Sequence, residues 1–130
     1  MKITRETDHA VKCVQYLCKY PDQSFTVSVI SEKSEIPKAF LAKIIQKLAK
    51  AGIVRSIQGA QGGFTLARQP VDITMKEIVE IIQGPIVVNP CLVDESFCSR
   101  TKFCKVHPVW NKINKIIAKE LEETDFSKLS

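Results

Sequence analysis

With 130 residues, 45% of them hydrophobic, the chain is long enough for one compact domain with an appended helix and a modest core. No apolar run approaches the roughly 20 residues of a membrane-spanning helix, and the charged start MKITRETDHA lacks the apolar stretch of a secretory signal, so a cytoplasmic protein is expected. The net charge of +5 is unevenly placed: residues 26–70 carry seven basic and two acidic side chains, which suggests a polyanionic partner.

In chain order, Asp8–Tyr20 repeats apolar residues at helical spacing, with Thr7 or Asp8 as its expected cap. A short helix is predicted at about Val27–Ser34, with Val27, Ile30 and Val29 facing inward. Pro37 can open a third helix, about Lys38–Ala51, whose inner face is Phe40, Leu41, Ile44, Ile45 and Leu48. Gly52 is placed to end it in a left-handed conformation. Two β-like runs, Ile53–Ile57 and Gly63–Ala67, flank a glycine-rich tip and predict a hairpin. Thr74, with Glu77 three residues on, starts a fourth helix as a capping box does, and Gly84 can close it. Pro85–Lys105 has no sustained period. A last helix begins near His107, with Pro108 in its first turn and a stripe of Trp110, Ile113, Ile117 and Leu121.

The fold class is therefore mainly α with a small β-hairpin: a winged helix-turn-helix followed by a long C-terminal helix. Its expected division is a DNA-binding domain over 1–84, a cysteine loop over 85–106, and a dimerisation helix and tail over 107–130. A helix fits the major groove of B-DNA, and a glycine-tipped hairpin can approach the backbone or minor groove. The expected DNA contacts are Lys38, Ala39, Lys43 and Lys47 from the third helix, with Arg55, Gln58 and Gln61 from the wing. With two histidines and no nucleophile–base pattern, the chain is not expected to be an enzyme.

Five cysteines, an odd number in a reducing compartment, argue against a disulfide framework and towards core residues or metal ligands. Cys13 and Cys18 lie on the first helix, where small buried side chains are expected. Cys91, Cys98 and Cys104 are separated by six and five residues, and His107 follows after two more. Three soft thiolates on one irregular loop can wrap an iron–sulfur cluster, with Arg100, Lys102 and Lys105 favouring the thiolate form. The spacing alone leaves two alternatives open: a Cys₃His zinc site, or no metal at all.

Gly52-Ile53-Val54 leading to Gln61-Gly62-Gly63-Phe64-Thr65-Leu66, together with the triplet Cys91, Cys98 and Cys104, resembles the IscR and NsrR group of bacterial iron–sulfur transcription regulators. The resemblance runs over nearly the entire chain. It implies a homodimer joined through the last helix, a roughly palindromic double-stranded DNA operator, and a cluster whose state alters DNA affinity. His107 matches the histidine ligand of the IscR type, which implies a [2Fe–2S] cluster. Thr7-Asp8-His9-Ala10 resembles the NsrR motif, in which an aspartate of the partner subunit, here Asp8, would ligate a [4Fe–4S] cluster. The histidine and the smaller cluster are favoured, because His107 adjoins the loop. Ala42 and Lys43 stand where IscR-type proteins offer acidic and amide side chains to bases, and Gln58 where an arginine often enters the minor groove, so a different operator is expected. Rival readings are a cluster-free repressor using the cysteines as a thiol switch, and a small electron carrier.

Overall fold

The computed structural model describes residues 1–60, 62–94 and 103–129. Five α-helices and one antiparallel hairpin make up its regular elements among those residues: α1 (Arg5–Lys19), α2 (Val27–Ser34), α3 (Lys38–Lys50), β1 (Val54–Ile57), β2 (Gly63–Leu66), α4 (Met75–Gln83) and α5 (His107–Glu123). The mainly helical, winged arrangement follows the order expected from the sequence. No helix among the described residues is long and apolar enough to cross a membrane.

Helix α1 begins three residues earlier than its apolar period suggests. Thr4, not Thr7 or Asp8, is its cap, its hydroxyl accepting from the Thr7 N–H at 3.1 Å. Thr7 is fully buried and donates its hydroxyl to Gln83 Oε1 at 2.7 Å, so it belongs to the helix's inner face. Asp8 instead pairs with Lys12 one turn on, at 2.9 Å. Thr26 caps α2 through the Val29 N–H, and the helix ends at Glu35 in the left-handed region (φ 57°, ψ 40°). That residue turns the chain so that Ile36 is buried and Pro37 opens α3.

Leu41, Ile44, Ile45 and Leu48 of α3 are buried as the period requires, but Phe40 is 57% exposed. One residue before Leu41, it is rotated about 100° around the helix, onto the edge of the apolar stripe. Gly52 (φ +80°) ends α3, and the Ile53 N–H returns to the Leu48 carbonyl at 2.9 Å, a left-handed cap.

The hairpin pairs Val54 with Leu66 through Ile57 with Gly63. Phe25, between α1 and α2, adds an antiparallel bridge to Phe64 on its other edge. Thr74 caps α4 at the Glu77 N–H, while the Glu77 carboxylate pairs with Arg68. Val14, Leu17, Ile44, Leu48 and Ile78 lie at the centre of one core. Residues after α5 return to it: Phe126 is fully buried, and its N–H bonds the Ile73 carbonyl at 2.9 Å. Helix α5 itself contributes no buried residue.

Candidate nucleic-acid interface and cysteine site

Helix α3 presents a basic face outward. Lys38, Ala39, Ala42, Lys43, Lys47 and Lys50 are all exposed, on the side opposite the buried leucines and isoleucines. No side chain caps the start of α3. Lys47 is drawn towards α1, its Nζ meeting Glu6 Oε1 at 2.5 Å with both side chains nearly half exposed. Such a pair is worth roughly 0–1 kcal/mol, so exchange of Glu6 for a phosphate costs little.

The wing divides the expected contacts. Gln58 is exposed at the tip, and Gln61 lies outside the described residues. Arg55 is exposed on β1 opposite Thr65 and lines an open polar cleft of about 540 Å³ with Arg68, Asp22 and Asp72. It thus lies near two carboxylates as well as on the wing. The sequence did not mark Arg68 or this cleft, because the residues come from four separate segments.

Beside α3 is a smaller groove that sequence reasoning also missed. Arg5, Glu6, His9, Phe40 and Lys43 line about 270 Å³, and the His9 and Phe40 rings stack with centroids 6.5 Å apart and planes 20° apart. The apolar period places Phe40 inward, whereas the structure turns it outward to form this groove.

The cysteine segment follows α4. Gln83, the last residue of that helix, accepts from Thr4 and Thr7 and donates to the Lys2 carbonyl, tying the first residues of the chain to the start of the segment. Further on, the Val88 N–H donates to Asn114 Oδ1 of α5 at 2.8 Å. Cys91 sits buried in a short helical turn, Pro90–Leu92, and its Sγ lies 3.3 Å from His107 Nδ1, the first residue of α5. Two of the expected ligands, sixteen positions apart, are therefore brought into contact. Cys104 is partly buried three residues before α5. Cys98 lies outside the described residues. Among the described residues no three histidine, cysteine or acidic side chains converge. Asp8 is on the exposed side of α1, in its pair with Lys12.

Cys13 and Cys18 are buried in the core, as expected. Desolvation pushes both thiols up to about 12, with repulsion from Cys18 adding to the effect at Cys13. Neutral, buried thiols of this kind are inert packing residues.

Along α5, Trp110 and Ile113 of the expected stripe are each 38% exposed, and Ile117 and Leu121 are half-buried. Val109 and Ile116 extend the apolar surface further into solvent, at 51% and 59% exposed.

Comparison with known proteins agrees with this architecture. Residues 3–130 match the Rrf2 family, described as iron-dependent transcriptional regulators. A Rhodobacter capsulatus protein described as an rrf2-like HTH-type transcriptional regulator is 32% identical over 120 residues, 85% of this chain and 80% of that protein. An HTH-type regulator of Aquifex aeolicus is 34% identical over 107 residues, 81% and 74% of the two chains. Among solved structures, CymR, the global cysteine regulator of B. subtilis, superposes with a TM-score of 0.83 at 25% identity, covering 99% of this chain and 95% of that one. The IscR of T. potens superposes at 0.80 with 25% identity, covering 99% and 85%. The chain belongs to the Rrf2 family and is a DNA-binding transcriptional regulator, not an enzyme.

Proposed function

We propose that this regulator acts in the cytoplasm as a homodimer, and that Cys91, Cys98, Cys104 and His107 hold an iron–sulfur cluster whose presence alters its affinity for a roughly palindromic operator. The observation that carries the reading is the 3.3 Å approach of His107 Nδ1 to Cys91 Sγ. A thiol and an imidazole side by side are a fitting donor set for iron, and the histidine favours a [2Fe–2S] over a [4Fe–4S] cluster. When bound, such a group supplies a centre that responds to oxidants, nitric oxide or iron supply.

The chain's own residues provide the link to DNA. His107 is the first residue of α5, and the Asn114–Val88 hydrogen bond fastens the preceding segment to the same helix. Any change in how Cys91 and His107 are held is therefore delivered to the start of α5. Two copies joined through Trp110, Ile113, Ile117 and Leu121 would bury the apolar surface that one protomer leaves exposed. A shift at the start of α5 then changes the separation of the two α3 helices. Coupling of this type typically amounts to about 1–3 kcal/mol. Lys38, Ala39, Lys43 and Lys47 would enter the major groove, with Arg55, Gln58 and Gln61 supporting from the wing.

A second reading, a thiol switch without iron, is favoured by the likeness to a cysteine regulator. Anaerobic purification followed by visible absorption separates the two. The cluster reading predicts a coloured wild type, loss of the absorption in Cys98→Ala, and an altered spectrum in His107→Ala but not in Asp8→Ala. A spectrum changed by Asp8→Ala alone would transfer the fourth ligand to the partner subunit. A colourless, iron-free wild type that still binds its promoter would favour the thiol switch.

A further inference from the structure

We infer that Phe40 is a base-reading residue whose ring, propped by His9, receives the C5-methyl group of a thymine in the major groove. The inference rests on the DNA-binding character of the family and not on the cluster. Phe40 is the third residue of α3, in the first turn that follows the left-handed bend at Glu35. In a helix-turn-helix it is the amino-terminal residues of the second helix that meet base edges.

Phe40 differs from an ordinary exposed apolar residue in its surroundings. It is 57% exposed and forms one wall of the 270 Å³ groove, with His9 stacked behind it and Lys43 one turn further along α3. The groove's walls are largely carbon and its rim carries Arg5 and Lys43, so it offers an apolar seat inside a positive surround. Glu6, the carboxylate that also lines it, pairs with Lys47 in the free protein, and Arg5 beside it offers a second cation. The occupant that fits both properties is the edge of a polyanionic duplex that projects a methyl group. Among the bases of DNA thymine alone presents one in the major groove, and aromatic side chains are suited to contact it.

His9 is a positioning residue. Its Nδ1 is buried and makes no hydrogen bond among the described residues, and its ring stacks on Phe40.

The test replaces thymine by deoxyuridine, which removes only the methyl group. Wild-type protein, purified anaerobically, first selects duplexes from a random pool. Each thymine of the selected half-site is then changed to deoxyuridine in turn, and dissociation constants are measured by fluorescence anisotropy. Wild type should lose affinity at one thymine position, by about fourfold for one buried methyl. Phe40→Ala should bind the thymine and deoxyuridine duplexes equally, and Phe40→Leu, which keeps an apolar side chain, should retain part of the discrimination. Thermal melting of the variants should match wild type, because Phe40 is not in the core. The inference is overturned if no thymine position is sensitive in wild type, or if Phe40→Ala keeps the full discrimination. Failure to select any duplex would instead count against DNA binding itself, and the inference would fall with it.

Discussion

Burial sets Cys13 and Cys18 apart from the cysteines of the 91–104 segment. Their thiols are pushed up to about 12 from an ordinary value of 9.0. The native state therefore keeps these protons above pH 9 while the unfolded chain releases them. Stability contributed by these groups is complete below about pH 9 and falls as pH rises towards 12. Urea denaturation from pH 8 to 10 should show a steeper loss for wild type than for a Cys13→Ala/Cys18→Ala variant; equal slopes would contradict the account. The burial of Cys18 was legible from its place on the helical stripe, and that of Cys13 from the usual burial of free cysteine. Phe40 was not, because a position at the edge of an apolar stripe can turn either way. In the structure it turns outward and meets His9 of the neighbouring α1.

Elements were legible where a local signal marks them. The hairpin announced itself by a change of period and by its glycines, and the end of α3 by Gly52. The bridge of Phe25 to Phe64 was not legible, since one paired residue carries no period. Gly63 joins the two levels. A Cβ there would lie 2.4 Å from the Phe25 carbonyl oxygen, a backbone atom that cannot swing aside. Gly63→Ala should therefore separate Phe25 from the hairpin and cost about 1–3 kcal/mol, as overpacking does. Denaturant titration would check this, and a variant as stable as wild type would show that the wing does not depend on the close approach. The start of α1 was misplaced by three residues for a related reason. Thr4 caps the helix, and the bond from Thr7 to Gln83 is a tertiary contact that the local pattern does not contain.

For the whole molecule, the informative feature is the contrast between the tail and α5. Phe126, beyond the last helix, packs into the same core as α1 and α4, which no sequence signal placed there. Helix α5, between them, has no buried residue but carries Trp110, Ile113 and Ile116 into solvent. The stripe itself was legible at spacings of three and four; what covers it was not, because a helical period looks the same whether its face meets its own domain or a second copy. If a second copy covers it, Ile113→Glu should shift the protein from dimer to monomer in analytical ultracentrifugation without unfolding it; a variant that remains dimeric would remove this face from the interface. Of the expected ligands, the structure brings Cys91 and His107 together, a contact between positions sixteen apart that no local pattern contains. The central claim is that this geometry serves a cluster that alters DNA affinity. The most direct measurement is to purify the full chain anaerobically, count iron and sulfide per protomer, and compare operator affinity before and after the iron is removed by a chelator. The account predicts two irons and two sulfides, as for the [2Fe–2S] centre proposed above, and an affinity change of about fivefold to 150-fold. A protein without iron or sulfide, or one whose DNA affinity is the same with and without them, would contradict it.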